Sequence, residues 1–160
     1  MNSRVQRIGT AALVAIGAAA LTMGPARAVV ARAADVPSFV RVTFVVKGDL
    51  KSFEGRLHDS NCVDQVQPNP FRVFPGDALP VGVKTRPSSP VDSCYDRNEV
   101  IWLIVTQPKS GKDAPETMGV RLRYGARRAT QVAFLHPSRD LRWTDHILAP
   151  DRVEVVVTGM

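Results

Sequence analysis

Hydrophobic and polar positions alternate with a period of two along most of the chain beyond residue 38, the period of a strand with one buried and one wet face. Residues 39–46 set Val40, Val42, Phe44 and Val46 against Arg41 and Thr43, and residues 53–57 set Phe53, Gly55 and Leu57 against Glu54 and Arg56. Gly48-Asp49 lies between them as a turn, so the pair predicts a β-hairpin. Residues 71–74 predict a short strand, and Pro75-Gly76-Asp77 a turn in which Pro presets φ and Gly tolerates the next position. Leu79, Val81 and Val83 then alternate; Pro80 lacks an amide hydrogen, which predicts an edge position or an irregular start for that strand. Residues 99–106, Glu-Val-Ile-Trp-Leu-Ile-Val-Thr, are apolar almost throughout and predict a central strand buried on both faces. Residues 118–124, 130–135 and 152–158 complete the set, the last with Val153, Val155 and Val157 on one face. No stretch keeps a helical period. Seven or eight short strands separated by turn signals predict an all-β fold, a single-domain antiparallel β-sandwich over residues 39–160, with a small closed barrel as the alternative.

The first 38 residues read differently. Arg4 and Arg7 precede an uncharged run over residues 8–23, Gly24-Pro25 breaks it, and Ala26-Arg27-Ala28 follows with the small-x-small spacing of a peptidase site. This predicts a signal peptide over residues 1–28, with a second possible cut after Ala33, and a short extension to residue 38. The uncharged run is shorter than the ~20 residues of a spanning helix, so no transmembrane segment is expected after processing. The location predicted is secreted or periplasmic. The whole chain carries 21 Lys and Arg against 15 Asp and Glu, a net +6. Removing residues 1–28 takes away Arg4, Arg7 and Arg27 and no acid, leaving 18 against 15, or +3; a cut after Ala33 also removes Arg32 and leaves +2. A general nucleic-acid-binding reading thereby loses most of its support, and basic character that matters must be local. In an exported protein the two cysteines, Cys62 and Cys94, are expected to pair. They bracket six prolines, and closing that loop is worth roughly 3 to 4 kcal/mol through the unfolded chain. Such a staple would hold down a proline-rich sheet edge.

Candidate chemistry concentrates in one stretch. Arg121 and Arg123 share a strand face and Arg127 and Arg128 follow the Gly125 turn, so four guanidinium groups are placed to converge on phosphate or carboxylate. Tyr124 adds a ring for stacking, and Lys109 and Lys112, on the preceding loop, would extend the patch. The bland alternative is a solvated strand face. Arg86, Pro87, Ser88, Ser89 and Pro90 form a surface loop suited to a partner protein. His136, Asp140, Asp145 and His146 crowd two histidines and two carboxylates into eleven residues, but their spacing fits no metal-ligand pattern, and turn chemistry accounts for Pro137, Ser138 and Asp140. Trp102 belongs to the core; Trp143 is either core or contact surface. No Gly-x-Ser-x-Gly elbow is present. No cofactor or metal site is predicted.

The stretch 73–79, Val-Phe-Pro-Gly-Asp-Ala-Leu, with the edge strand and Arg86-Pro-Ser-Ser after it, resembles the aegerolysins, small single-domain β-sandwich proteins that engage membrane lipids. The long first strand at 39–46 and Gly55-Arg-Leu-His58 resemble them too. The family is typically acidic and richer in Trp and Tyr, and it does not imply the leader or the Cys62–Cys94 staple; no site residue is carried over. Together these readings predict an exported binding module for an anionic surface or ligand, lipid headgroups among them. Two alternatives stand beside it: an inhibitor or immunity protein that blocks an extracellular or periplasmic enzyme, and a small hydrolase or metal protein using His136, Asp140 and His146.

Overall fold

The computed structural model describes residues 36–110, 114–137 and 140–160; the leader and its cleavage sites lie outside the described residues. Ten strands follow one another: β1 (Phe39–Gly48), β2 (Leu50–Asn61), β3 (Val63–Gln67), β4 (Phe71–Val73), β5 (Ala78–Thr85), β6 (Asn98–Pro108), β7 (Thr117–Tyr124), β8 (Gln131–Leu135), β9 (Leu141–Ala149) and β10 (Arg152–Gly159), with a 3-10 turn at Ser93–Tyr95 before β6. They build two five-stranded sheets, ordered β3-β5-β1-β10-β9 and β4-β2-β6-β7-β8. This is the predicted all-β sandwich, not a closed barrel. Each sheet turns one apolar face inward: Val40, Val42, Phe44, Val81, Val83, Val153, Val155 and Val157 from the first, and Phe53, Val100, Trp102, Ile104, Val120 and Leu122 from the second, all buried in one core. Phe44 bridges the layers, meeting Phe53 at 5.8 Å and Trp102 at 5.6 Å between ring centroids, both edge-on. That is the geometry aromatic quadrupoles favour.

Three expectations change. First, β1 and β2 are not a hairpin: β1 pairs with β5 and β10, whereas β2 pairs with β4 and β6. Both edges of β1 are already occupied, and the apolar faces of β1 and β2 meet across the core instead of lying side by side. The crossing is made at Gly48, whose φ of +71° suits a residue without a side chain and whose Cβ would overlap the Gly159 carbonyl oxygen. Second, β6 is central in its sheet but fully buried on one face only. Val100, Trp102, Ile104 and Thr106 point inward, while Ile101, Leu103 and Val105 are half-covered outside. Third, β5 is interior to its sheet, yet its ladder with β3 runs only from Gly82 to Thr85, so Pro80 occupies a stretch with no partner on that side. Proline's missing donor costs nothing there.

Two strands, β3 and β9, have no counterpart in the sequence reading; each is an edge of the first sheet. One ladder also departs from the antiparallel rule, since β1 and β10 run parallel from Arg41↔Arg152 to Gly48↔Gly159. The Cys62–Cys94 disulfide is formed and ties the end of β2 to the 3-10 turn, with Cα atoms 5.2 Å apart. The segment it closes supplies both β3 and β4, one edge from each sheet, as edge protection requires. Disulfides form and persist mainly in oxidising environments, so this bond points to a location outside the cytosol.

Candidate functional site

The predicted cluster begins on β7, where strand alternation sends Met118, Val120, Leu122 and Tyr124 into the core and leaves Arg121 and Arg123 half-exposed on the outer face. Arg123 lies between Glu99 on β6 and Gln131 on β8, and its Nε donates to the Glu99 carboxylate. Arg121 lies between Ile101 and Ala133, and its Nε is buried with no hydrogen-bond partner among the described residues.

Beyond β7 the chain is fixed by the 3-10 turn. Asp92 caps that turn by accepting from the Cys94 amide at 2.8 Å. Asn98, fully buried, donates from Nδ2 to the carbonyls of Cys94 (3.0 Å) and Tyr124 (3.4 Å), joining the turn to the end of β7. The Ala126 amide donates to the Tyr95 carbonyl at 3.0 Å, and the Arg127 amide to Asp96 Oδ1 at 2.6 Å. Through this clasp a residue absent from the sequence reading, Arg97, joins the arginines. Arg97, Arg123 and Arg128 line one groove of about 360 Å³ together with Asn61, Asn98 and Glu99. Three guanidinium groups therefore share it with one carboxylate. Arg97 and Arg128 have no ion-pair partner among the described residues. A neighbouring groove of about 280 Å³ is shared by Arg121, Arg123, Gln131, Ala133, Asp145 and Ile147, so Arg123 borders both.

Not every candidate arrives. The Arg127 guanidinium sits 5.7 Å over the Tyr95 ring, a cation–π contact that draws it from the groove. Tyr124 is fully buried and shares a 3.0 Å hydrogen bond with Thr85, so its ring offers nothing to a surface ligand. Burial pushes its phenol above the usual pKa of 10.0, with the Thr85 hydrogen bond acting against that shift. Lys109 follows β6 ten residues after Glu99, roughly 33 Å away at strand rise, and binds Gly48 O and Asp49 there. Lys112 lies outside the described residues.

The loop 86–90 is exposed except at Ser88 and held at both ends. The Arg86 amide donates to the Cys62 carbonyl at 3.1 Å, the Arg86 side chain reaches Asp64 at 3.5 Å, and the Asp92 amide donates to the Ser89 carbonyl at 2.9 Å. At the tip of that last turn Val91 is 96% exposed. The histidine cluster disperses: Asp145 lines the Arg121 groove from a half-buried position, His146 is exposed on the opposite face of β9, and His136 is exposed in a positive-φ turn. Among the described residues no three His, Cys, Asp or Glu side chains are grouped to hold a metal ion. Trp143 packs against Phe134 at 5.6 Å and belongs to the rim of the core.

These features define a single-domain β-sandwich with an arginine-lined groove at one end of its second sheet. No family model matches the chain, and no curated protein does. Among solved structures it is similar to the RahU protein in complex with a TRIS molecule, at 8% identity over 77% of this chain and 96% of that one, with a TM-score of 0.52. It is also similar to IP-1A from Alcaligenes faecalis, at 8% identity over 78% and 93%, with a TM-score of 0.49. At this identity the RahU likeness speaks for a shared fold and for nothing finer.

Proposed function

We propose that this protein is an exported binding module that takes anionic groups into the groove of Arg97, Arg123 and Arg128. The observation that carries the reading is the charge imbalance there, three guanidinium groups against the single carboxylate of Glu99. Arg forks bind phosphate and carboxylate in two-point geometry, and an open groove admits a headgroup carried by a surface. The turn and strand residues that resemble the aegerolysins favour lipid headgroups as the source of the anion. The basic leader of residues 1–28 and the disulfide both favour export.

The test is flotation with vesicles of phosphatidylglycerol and phosphatidylcholine over a range of salt, beside a titration with inorganic phosphate. Binding is expected only with the anionic lipid and to weaken with salt. At about 1 kcal/mol for each basic residue near a charged surface, Arg97→Ala with Arg128→Ala lowers affinity about 30-fold. Vesicle binding unchanged by replacing Arg97, Arg121, Arg123 and Arg128 together would reject the reading.

A second reading rests on the exposed Val91. An apolar tip on a loop tied down by Cys62, Asp64 and the Cys94 disulfide is preorganised to enter a partner's cleft, as an inhibitor of an extracellular enzyme would. A cell-envelope hydrolase captured by the native protein and lost with Val91→Asp supports it. Equal capture after residues 86–91 are replaced by Gly and Ser sinks it.

A further inference from the structure

The outer face of the first sheet carries a second cluster, independent of the arginine groove. Gln65 and Gln67 come from β3, Pro80, Gly82 and Lys84 from β5, and Phe39 and Arg41 from β1. Register sets Gln65, Lys84 and Phe39 in one row across the three strands and Gln67, Gly82 and Arg41 in the next. The residues between them, Val40, Val66, Val81 and Val83, point the other way into the core. With strands about 4.8 Å apart and alternate residues about 6.6 Å apart, the two rows make a plate of roughly 10 by 7 Å. A shallow groove of about 420 Å³ lies on it.

Gly82 is the floor of this plate. The Phe39 ring leans over it, and a Cβ at residue 82 would overlap that ring. Phe39 stays 48% exposed, an aromatic surface held in place beside open solvent. The side chains around it are uncommitted: Gln65, Gln67, Arg41 and Lys84 make no side-chain hydrogen bond or ion pair among the described residues. No carboxylate lines the groove, while two cations do.

We propose that this plate binds a saccharide, selectively a pyranose bearing a carboxylate. The apolar C–H face of a pyranose lies on a single exposed ring face, which is what Phe39 offers, and the plate is wide enough for one to two sugar rings. Gln65 and Gln67 each supply donors and an acceptor for vicinal hydroxyls. Arg41 stands beside Gly82 at the edge of the Phe39 ring, placed to give a two-point contact to a carboxylate on a sugar stacked against that ring, and Lys84 adds a second positive charge from the neighbouring row. A nucleobase, by contrast, would find one ring face and no enclosing wall.

The test is an amide-resolved NMR titration of the mature chain with a galacturonic acid tetrasaccharide, its methyl ester, and a hexaglutamate peptide. The acid is expected to shift Gln65, Gln67 and Gly82 saturably and to bind about 10-fold more tightly than the ester, the worth of a charge-assisted contact. Phe39→Ala is expected to weaken the acid about 10-fold, Arg41→Ala to bring acid and ester together, and Arg128→Ala to leave the saturable shifts at Gln65, Gln67 and Gly82 as they are. No saturable shift at these residues overturns the proposal, and so does equal affinity for acid and ester. Hexaglutamate binding as tightly as the saccharide, with no effect of Phe39→Ala, reduces the plate to a cation patch and overturns it as well.

Discussion

Thr85 decides what Tyr124 can do. Its hydroxyl donates to the Pro37 carbonyl at 2.5 Å, which uses its one hydrogen, so the Tyr124 hydroxyl donates to Thr85. The phenol is thereby buried in its neutral form. A folded-state pKa above the unfolded value of 10.0 means that stability is whole below pH 10 and is lost as pH rises toward the folded pKa, because the unfolded chain ionises first. Urea midpoints measured from pH 8 to 11 are therefore expected to fall above pH 10 in the native protein and to fall less in Tyr124→Phe. Below pH 10 that variant costs about 1 kcal/mol, the net worth of one hydrogen bond, since Thr85 keeps Pro37. Asn98 is less forgiving: Asn98→Ala removes a buried side-chain donor from the carbonyls of Cys94 and Tyr124 at once and is expected to cost about 2 kcal/mol, readable as a lower melting temperature. The same residue scale explains the arginines. Alternation along β7 made Arg121 and Arg123 legible as outward-facing, but the same alternation buries Tyr124 next to them, and no local pattern reveals that Tyr95 would claim Arg127.

At the scale of elements, legibility tracks how many neighbours a strand has. β1, β2, β7 and β10 each have partners on both sides and an apolar face opposed to a more polar one, so their period of two is readable, whereas β6, also central, is apolar on both faces and shows as an unbroken run. β9 sits at an edge and has Asp145 at an inward position among Leu141, Trp143 and Ile147, which erases the alternation. β3 has one buried residue, Val66. Pairing was less legible than the strands themselves, because β1 and β2 have the composition of a hairpin and only the second sheet's demand for an inward face separates them. Arg97 escaped for a related reason: it is a lone cation in sequence and joins the groove only through the clasp that Cys94, Asn98 and Asp92 build. That clasp supports a prediction. Replacing Cys62 and Cys94 by Ala is expected to cost roughly 3 kcal/mol of stability by chain entropy and, by loosening the turn before Arg97, to weaken binding to phosphatidylglycerol vesicles. A destabilised variant that binds those vesicles as tightly as the native protein would separate the staple from the groove.

The molecule as a whole is closed by its parallel seam. β1 and β10 pair over eight residues, and β10 in turn holds β9, so two of the first sheet's five strands depend on a contact between segments about 110 residues apart in the chain. The second sheet is more local, since β6, β7 and β8 follow one another and pair in that order. Closing a long loop is unfavourable until the contacts that reward it exist, so the seam belongs late in folding and the β6-β7-β8 sheet early. Mutations then divide by sheet. Ile104→Ala on β6 and Val155→Ala on β10 each remove a fully buried side chain and are expected to cost about 2 to 4 and 1 to 3 kcal/mol. In stopped-flow experiments followed by Trp102 fluorescence, Ile104→Ala slows refolding, because its contacts are already made at the barrier. Val155→Ala instead speeds unfolding and leaves refolding nearly unchanged, because the seam forms afterwards. The reverse pattern, slow refolding in Val155→Ala and fast unfolding in Ile104→Ala, would place the seam in the folding nucleus and make the two distant strands the part of the chain that organises the rest.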